Sequence, residues 1–596
     1  MYKILTTPQP ETNYIEYLAT GNEFISIPFI TKEGKVEIIN FALEKTSSIV
    51  DFRGHSLIEP FIRVEEDIIN WSSILYDYEF SWIPTFKYND SKIEVTVRII
   101  TPKSYKGFVY GIWIKNLTNR DFHIECGVKG LWESSMSTIF HSQEIRGFKN
   151  VLLDKWTNSI ILELNSTTVL AAMAISGDNE PHFYYDSEKR SYKVLNRDKL
   201  GKYEEKVFYY YYSINLERDG AGTTNVDLRR RRGNNLYEEE LTWLKRHTIK
   251  VGDKLLEEKI NRNIFFSYFY SIAYTIDTEE QVLLTSKSPR YYVSAAFWAR
   301  DTLLWSFPAI CLIDKMEARK ILITSYTRYL KNAGTHSLYI NGSVLYPGFE
   351  LDELAAYIIA LEKYIEETED EEIINMREIT QGILYILNVL NKWYSSTYGL
   401  YRTELDPSDD PVTYPYLIYD NVLIWRMLSF LEKYKYTPKT RVDELKVAIK
   451  KYGIIEGPLG KMYAWAVDGK GNYEVYDTPP GSLTLMKYYG FCDKNDEAYV
   501  NTIKYIYSSL NKYYYKNEII EGTGCIHAPS VWVLSLCNYL LVYKDEHKLE
   551  MIKNLKLDNG FMCETIDEKG TVKTGPAFAS AAGFLGYTLT KVIKEQ

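Results

Sequence analysis

The hydrophobic period of this chain changes once, near residue 217, and the change limits the folds that the chain can adopt. Before this point apolar and polar residues alternate, as in residues 92–99, where four aliphatic side chains share one face. After it the spacing is helical, as in residues 351–365, where apolar side chains recur every three or four positions. The sequence therefore predicts strands first and helices afterwards.

Three segments follow from this division. Repeated short strands with polar turns predict a β-sandwich for residues 1–217. Residues 218–235 combine glycine, threonine and a run of four arginines, Arg229 to Arg232, which is typical of a solvated linker. Residues 236–596 carry the helical pattern to the C-terminus.

Alternating short and long loops between the helices predict that residues 236–596 form an (α/α)6 barrel of helical hairpins, with the long loops gathered at one end. An α-solenoid would instead show a fixed sequence repeat, and the sequence contains none. The predicted helices include residues 319–329, 351–365, 379–392, 422–433, 501–514, 531–542 and 578–593.

Charge and hydropathy exclude several classes of partner. A net charge of −9 argues against a general affinity for nucleic acid or an anionic membrane. No segment approaches the roughly 18 apolar residues of a membrane span, and the first residues lack the apolar core of a signal peptide. We therefore expect a cytoplasmic protein without a nucleic-acid or membrane partner. The sequence is compatible with a homo-oligomer.

The six cysteines are scattered and form no Cys-x-x-Cys pair, which argues against a zinc ribbon or a disulfide framework. Cys525 and His527 could share a metal ion, but a closed site needs about four ligands and no others lie nearby in sequence. We expect neither a structural metal nor a cofactor.

Asp409 and Asp410 lie side by side in a proline-rich loop ahead of the apolar run Val422 to Trp425. Two adjacent carboxylates repel each other unless cations, hydrogen bonds or a shared proton offset the repulsion. They could be helix-capping residues, as Asp420 could be for the helix that follows. The other interpretation is that one of the pair is catalytic.

Other loops concentrate acidic, aromatic and basic residues. Arg300 and Asp301 follow Trp298, although Asp301 could be an ordinary cap. Three acids stand together at a predicted helix start, where the helix dipole alone would favour them. The further candidates in these loops are Glu350, Asp352, Glu353, Asp477, His527, Trp532 and Glu564.

Two acids from distant loops are what an inverting glycosidase requires. One protonated carboxyl group donates to the leaving oxygen, and a carboxylate roughly 6.5 to 9.5 Å away activates water on the opposite face of the sugar. Asp409 and Asp410 are too close to fill both roles, but either could be paired with Glu564. The sequence thus predicts an oligosaccharide substrate.

Together these loops resemble those of glycoside hydrolase family 125, the metal-independent exo-α-mannosidases. The series begins with residues 297–301, which resemble the family's Trp-Leu-Arg-Asp element, and residues 350–354, which resemble Glu-Leu-Asp-Ser-Leu. Residues 407–421 resemble its Pro-Ser-Asp-Asp and Tyr-x-Tyr-Leu-Ile segment. Further matches in the family's order lie at residues 463–483, 527–536 and 564.

The resemblance implies an inverting exo-α-mannosidase in which one of the two adjacent aspartates is the general acid and Glu564 the general base. Asp409 is preferred because related helical-barrel glycosidases have the first aspartate of their acid loop there, and Asp410 remains its competitor. The residues that would shape the sugar pocket are Arg300, Asp301, Glu350, Asp352, Asp410, Asp477, His527 and Trp532.

The sequence departs from the family in ways that affect the substrate assignment. The family usually lacks an N-terminal sandwich, which glucoamylase, trehalase and disaccharide phosphorylase relatives carry. Cys563 stands where the family has histidine, and Lys573-Thr574-Gly575 replaces Phe-Thr-Arg. The alternatives are therefore an α-glucosidase of the glucoamylase or trehalase type, a phosphorylase, which would not need Glu564, and a non-catalytic sugar-binding protein.

Overall fold

A computed structural model describes residues 16–71 and 74–594 of the chain. The N-terminal part is built from strands that pair with antiparallel neighbours. In chain order they are β1 (Leu18–Gly21), β2 (Ile25–Ile30), β3 (Val36–Leu43), β4 (Ser48–Val64), β5 (Asp67–Ile68), β6 (Leu75–Glu79), β7 (Ile83–Asn89), β8 (Ile93–Ile100), β9 (Gly107–Asn116), β10 (Phe122–Leu131), β11 (Met136–Thr138), β12 (Ser142–Glu144), β13 (Phe148–Asp154), β14 (Ser159–Asn165), β15 (Leu170–Gly177), β16 (His182–Asp186), β17 (Ser191–Leu200) and β18 (Glu205–Asn215).

These strands form two large sheets with a common core. One sheet follows the order β1-β2-β3-β4-β10-β17-β16, with three short strands attached, and the other follows β13-β14-β15-β18-β9-β8-β7-β6. Side chains of both sheets, such as Phe41 of the first and Tyr110 of the second, pack in one buried hydrophobic cluster. The alternation seen at residues 93–99 produces this buried face because successive side chains point to opposite sides of a strand.

Helices dominate the rest of the chain, so the predicted order of strands followed by helices is confirmed. The α-helices of the described residues are α1 (Arg218–Arg231), α2 (Gly233–His247), α3 (Lys254–Tyr270), α4 (Phe307–Ile313), α5 (Lys315–Thr324), α6 (Leu351–Thr368), α7 (Arg377–Asn391), α8 (Ile418–Lys433), α9 (Lys439–Gly453), α10 (Glu497–Ile506), α11 (Val533–Tyr543), α12 (Glu546–Asn554) and α13 (Ala579–Lys594). Their buried faces share one large core. None of these helices is both long enough and apolar enough to cross a membrane.

The connection predicted at residues 218–235 is helical, which corrects the interpretation as a solvated linker. Helix α1 packs on β14, β15 and β18, where Ala221 and Leu228 are fully buried. Asn225 donates from its side chain to Ala174 O and Tyr211 O, and Arg229 donates to Thr157 O. This segment is rich in poor helix formers, so tertiary packing rather than intrinsic propensity holds it helical.

One predicted helix, residues 501–514, extends too far. Helix α10 ends at Ile506, and a strand begins at Tyr514. Ser508 donates to Tyr505 O, and the side chain of Asn511 donates to Ile506 O. These side-chain bonds compete with the helical backbone bonds and end the helix.

Short strands occupy the loops between the helices. They are β19 (Ile272–Tyr274), β20 (Gln281–Leu283), β21 (Ala296–Phe297), β22 (Thr335–Tyr339), β23 (Val344–Phe349), β24 (Tyr394–Ser395), β25 (Leu400–Tyr401), β26 (Tyr416–Leu417), β27 (Ile454–Gly457), β28 (Gly460–Tyr463), β29 (Ala466–Val467), β30 (Tyr473–Glu474), β31 (Tyr514–Lys516), β32 (Glu521–Thr523), β33 (Val531–Trp532), β34 (Thr565–Ile566) and β35 (Val572–Thr574). Three of the resulting sheets, β21-β22-β23, β26-β29-β30 and β33-β34-β35, fix the loops that carry the candidate site.

The strand-rich and helical parts are packed against each other. Asn40 donates to Lys287 O at 2.7 Å, and the backbone amide of Ser294 donates to Ile139 O at 2.8 Å. The rings of Phe140 and Tyr346 lie 6.1 Å apart. The N-terminal sheets therefore reach the loops at one end of the helical part.

Candidate active site

A cavity of about 520 Å³ lies among the loops that enter α4, α6, α8, α11 and α13. Its wall is mainly aromatic and aliphatic with a few charged groups, which is the usual composition of a site for a small organic ligand. The polar and aromatic residues in its wall include Tyr292, Trp298, Arg300, Asp301, His336, Tyr346, Glu404, Asp409, His527, Trp532 and Glu564.

The loop that carries the adjacent aspartates is folded around a third acid, Asp406. The carboxylate of Asp406 accepts hydrogen bonds from the amide and hydroxyl of Ser408, both at 2.9 Å, and from the amide of Asp410 at 3.3 Å. Two backbone bonds of 2.8 Å, between Asp406 and Asp410 and between Asp409 and Asp406, close the turn. Asp409 itself has a φ of +67°, a conformation that side chains rarely adopt.

This turn separates the two neighbouring carboxylates. Asp409 accepts from Arg300 Nη2 at 2.5 Å and lies 3.8 Å from the Nδ1 atom of His336. Asp410 instead faces His527, whose Nδ1 atom lies 3.2 Å from Asp410 Oδ2. Each carboxylate therefore has its own cationic or polarised partner, which offsets the repulsion expected from their adjacency. Neither caps a helix.

Arg300 is buried and holds several acids behind the cavity wall. Its Nη1 atom donates to Glu350 and to Asp352, each at 2.8 Å, and its Nη2 atom lies 3.7 Å from Glu353. Glu350 also contacts the Nδ1 atom of His336. The three acids at the start of α6 thus position Arg300 rather than line the cavity. Burial raises the pKa of Glu353 well above its ordinary value, and Arg300 only partly opposes the shift.

Asp301 lies in the first turn of a π-helical segment, Arg300–Ser306, and not at its cap. Its Oδ1 atom accepts from the Ser580 hydroxyl at 2.9 Å, and its Oδ2 atom is 3.9 Å from Arg300 Nε. Burial raises the pKa of Asp301 to about 7, against the opposing charge of Arg300. This carboxyl group can therefore hold or release a proton near neutral pH.

Glu564 reaches the cavity from just before β34, far from the aspartates in sequence. Its Oε1 atom accepts from the Tyr292 hydroxyl at 2.6 Å, and its Oε2 atom accepts from the Thr574 hydroxyl at 2.8 Å. Burial raises the pKa of Glu564, whereas His527 and the two hydroxyl groups lower it. The charge of Asp409 raises it further, so the two carboxylates are close enough to interact.

Gly575 is required next to Glu564. Its φ is +57°, and a Cβ atom there would meet the Glu564 Cβ atom at 2.6 Å. The amide of Glu564 also donates to Gly575 O at 3.1 Å. The departure from the family pattern at residues 573–575 therefore packs directly against the predicted base.

Four residues predicted to shape the sugar pocket lie outside the cavity wall: Glu350, Asp352, Asp410 and Asp477. Asp477 is fully buried and accepts from Ser482 Oγ at 2.7 Å and from the amide of Leu483 at 2.8 Å. Through these two hydrogen bonds Asp477 stabilises the turn between residues 477 and 483. Asp420 does not cap a helix, since α8 begins at Ile418 after Leu417, and Asp420 lies inside the first turn.

Sequence context does not distinguish several residues that contact the predicted site residues. Tyr292, Thr574 and Asp406 carry no pattern that separates them from the chain's other residues of the same types. His336 lies in a strand, among only eight histidines, and that scarcity is a usable signal. Six of the predicted site residues line the cavity: Arg300, Asp301, Asp409, His527, Trp532 and Glu564.

The described residues include two groups of three side chains whose metal-binding atoms lie within 4.8 Å of one another. One is Asp410, Cys525 and His527, and the other is His336, Glu350 and Asp409. The first group brings to Cys525 and His527 a third donor from a loop more than a hundred residues away. Sequence spacing alone could not reveal this donor.

The fold and the cavity define a class of architecture: two β-sheets followed by a helical domain, with carboxylates from separate loops facing one pocket. Within that class, residues 394–589 match the model of the metal-independent alpha-mannosidases, glycoside hydrolase family 125. The resemblance inferred from the sequence is thereby confirmed over this segment. The matched segment contains Asp409, Asp410, His527 and Glu564, whereas Arg300, Glu350 and Asp352 precede it.

A relative in Schizosaccharomyces pombe, the meiotically up-regulated gene 157 protein, is 32% identical over 187 residues. The match covers 28% of this chain and 37% of that protein's length. This chain thus spans little more than a third of the curated relative that it matches.

Two solved structures share the fold. A metal-independent alpha mannosidase of Streptococcus pneumoniae, in a non-productive complex with alpha-1,6-mannobiose, has a TM-score of 0.51 and 20% identity, covering 57% of this chain and 95% of that one. A bacterial glucoamylase complexed with acarbose has a TM-score of 0.62 and 10% identity, covering 99% of this chain and 95% of that one. The second similarity includes the N-terminal sheets.

Proposed function

We propose that this protein is an inverting exo-α-mannosidase that works without a metal ion, with Asp409 as general acid and Glu564 as general base. The observation that carries the proposal is that these two acids, from loops far apart in the chain, line one cavity. The match of residues 394–589 to the metal-independent alpha-mannosidases supports the choice of sugar. In the proposed architecture, an N-terminal β-sandwich precedes an (α/α)6 barrel.

In this mechanism a terminal mannose enters the cavity. Asp409 donates its proton to the glycosidic oxygen as the bond to the anomeric carbon breaks. Glu564 removes a proton from a water molecule, whose oxygen attacks the anomeric carbon from the opposite face. The products are the shortened saccharide and a free sugar with inverted configuration. Tyr292 and Thr574 orient the Glu564 carboxylate for this step.

The general acid must carry a proton when the substrate arrives, and the contact with Arg300 opposes this. Among the described residues, the carboxyl groups of Asp301, Glu350, Asp352, Glu353 and Asp409 surround two side chains that can carry positive charge, Arg300 and His336. Burial raises the pKa of Asp301, Glu350 and Glu353, so part of this cluster retains protons. In the proposed mechanism this cluster supplies the proton that Asp409 passes to the glycosidic oxygen.

The experiment that tests the proposal is a product-resolved assay on α-linked mannosides, glucosides and natural disaccharides. Proton NMR recorded during the first turnovers should show β-mannose released from an α-mannoside, in the presence of a chelator. First release of the α-anomer would reject the inverting mechanism. Activity that requires phosphate and yields a sugar phosphate would favour a phosphorylase.

An α-glucosidase is the second candidate. It is favoured by the similarity to a bacterial glucoamylase, which extends over 99% of this chain and includes the N-terminal sheets. The same assay separates the candidates, since a glucosidase would release glucose and leave mannosides intact. Binding of sugars without turnover of any substrate would instead support a non-catalytic protein.

A further inference from the structure

A turn of the N-terminal sheets packs against two loops of the candidate site. The turn connects β11 to β12 and consists of residues 139–141. The carbonyl oxygen of Ile139 accepts hydrogen bonds from the amide and the hydroxyl of Ser294, at 2.8 and 3.1 Å, and from the amide of Ala295 at 3.0 Å. Three hydrogen bonds to one carbonyl group fix the turn on the segment that also carries Tyr292, which lines the cavity.

The next residue of the turn, Phe140, reaches the side of the cavity that holds the proposed general acid. Its ring lies 6.1 Å from the ring of Tyr346, which lines the cavity. The ring of Tyr346 lies 5.9 Å from the ring of His336, whose Nδ1 atom is 3.8 Å from Asp409. Phe140 is half-buried and packs on the large core of the helical part. A side chain of the N-terminal sheets thus supports the cavity wall beside Asp409.

The wall beside Asp409 is the place where the leaving group must lie. In the proposed mechanism the general acid gives its proton to the glycosidic oxygen, so the departing sugar is on the side of the acid and Glu564 is on the other. Tyr346 lies at this end together with Glu404, which is exposed and also lines the cavity. The amide of Phe349 donates to Glu404 Oε2 at 2.8 Å, and this bond joins the acid loop to β23, the strand that carries Tyr346.

We propose that Phe140 determines the leaving-group specificity of the enzyme, because it holds the ring of Tyr346 where that ring packs on the departing sugar. A pyranose presents an apolar face of C–H groups that packs on an aromatic ring, so displacement of the Tyr346 ring would lose this contact. Phe140 itself touches no substrate and is a positioning residue. The location of the leaving group rests on the proposed function. The N-terminal sheets thereby take part in substrate selection.

The kinetic test compares a disaccharide with a substrate whose leaving group is too small to reach Tyr346. An α-linked mannobiose and α-mannosyl fluoride serve this purpose, since fluoride departs without a second sugar. Phe140→Ala should lower kcat/KM for the disaccharide by about tenfold or more, mainly through KM, and leave the value for the fluoride within about threefold of the wild type. Losses of equal size on both substrates, or an unchanged value for the disaccharide, would overturn the proposal.

Two further substitutions at Phe140 separate positioning from folding. Phe140→Tyr keeps the ring and should keep the wild-type ratio of the two kcat/KM values. Phe140→Leu keeps apolar bulk but removes the ring, so it should lower the ratio. Thermal melting reports the folding of each variant, and Phe140→Leu decides the question if Phe140→Ala does not fold. A wild-type ratio in a folded Phe140→Leu would then count against the proposal.

The matched control is Phe183→Ala. Phe183 belongs to β16, is half-buried like Phe140, and packs on the core between the two large sheets. Its removal should keep the wild-type ratio. If Phe183→Ala lowers the ratio as much as Phe140→Ala does, the effect comes from a general loosening of the sheets, and the proposal is wrong.

Calorimetry separates this inference from the proposed function. In Glu564→Gln, an α-linked disaccharide of mannose or of glucose should bind about tenfold or more tightly than the methyl α-glycoside of the same sugar, and addition of Phe140→Ala should remove most of the difference. If the wild type cleaves no glycoside, the proposed function fails, whereas the difference in affinity still decides the role of Phe140. Disaccharides that bind no more tightly than the methyl glycosides would refute that role even in an active enzyme.

Discussion

At the scale of single residues, the adjacent aspartates have different surroundings because one turn directs them apart. Asp409 contacts Arg300 and lies near His336, while Asp410 contacts His527. A pair that looks symmetrical in sequence is therefore chemically asymmetric. Asp409 and Glu564 both line the cavity, and this arrangement permits a direct test of their proposed roles.

The first prediction separates acid from base by leaving-group dependence. Asp409→Asn should lower turnover of natural disaccharides by about 10²- to 10⁴-fold, because no proton reaches the leaving oxygen. The same variant should retain much more activity on a dinitrophenyl mannoside, whose leaving group needs no proton. Glu564→Gln should lose activity on both substrates, since water is no longer activated. Steady-state kinetics with the two substrates measures this.

Asp410→Asn is the matched control for Asp409→Asn, since it removes a neighbouring carboxylate from the same turn. It should raise KM while leaving the dependence on leaving group as in the wild type. If Asp410→Asn shows the acid's signature and Asp409→Asn does not, the two roles are exchanged.

The second prediction concerns the hydrogen bond from Tyr292 to Glu564. This bond lowers the pKa of Glu564, whereas burial raises it. Tyr292→Phe should therefore raise that pKa and shift the acidic limb of the kcat/KM profile to higher pH, by about half a unit to one unit. The control is Tyr346→Phe, whose hydroxyl also belongs to a cavity-lining side chain but has no hydrogen-bond partner among the described residues. An unmoved limb in Tyr292→Phe would contradict the assignment of Glu564 as base.

At the scale of structural elements, short sheets and tight turns position the catalytic groups. Glu564 precedes β34, one of the two hydroxyl groups that contact it comes from β35, and Trp532 ends β33. The turn at residues 406–410 does the same for the aspartates, with Asp406 as its internal acceptor. These elements are too short to show a period, so they were predicted only as loops.

The third prediction tests the turn through Asp406. Asp406→Ala removes the acceptor of three hydrogen bonds and should lower kcat at least tenfold by releasing Asp409, with a smaller change in KM. Asp406→Asn should retain most activity, because its amide oxygen accepts the same bonds. Kinetics of the two variants, with thermal melting as the control for folding, measures this. Equal losses in both would show that the carboxyl group acts chemically rather than as a scaffold.

At the scale of the whole molecule, the sheets and helices are joined by buried polar contacts. Glu240 of α2 is buried and accepts from the Thr101 amide at 2.7 Å and from its hydroxyl at 3.2 Å. Burial raises the pKa of Glu240 to about 8, and the bonds from Thr101 only partly oppose it. A carboxyl group that joins the first helices to the end of β8 is therefore protonated in the fold at neutral pH.

The fourth prediction follows from this linkage. Between its ordinary pKa of 4.5 and the folded value of about 8, Glu240 binds a proton in the folded state that the unfolded chain has released. Its contribution to stability is complete at low pH and is lost as pH rises through this window. Glu240→Gln, which resembles the protonated form, should be more stable than the wild type by about 1–3 kcal/mol at pH 8 and equal to it near pH 4.5.

Urea denaturation at both pH values measures this difference. The control is Glu238→Gln, which changes an exposed acid of the same helix and should follow the wild type at both values. If Glu240→Gln and the wild type keep the same difference in stability at pH 8 and pH 4.5, the linkage is wrong.

The sequence by itself determined the order of strands and helices, the resemblance to glycoside hydrolase family 125, and six residues that line the cavity. These follow from local periodicity and from short motifs, which depend only on neighbours in the chain. The tertiary structure alone decided that residues 218–235 are helical, that Asp477 and Asp420 lie away from the cavity, and that Asp409 and Asp410 have separate partners.

The physical reason is that these outcomes depend on contacts between distant segments. Arg300 meets Asp409 across 109 positions, and Asp410 meets His527 across 117. The burial that shifts carboxyl pKa values and fixes proton positions exists only after those segments pack together. The surroundings of Asp409 and Asp410 are thus set by residues outside their own loop.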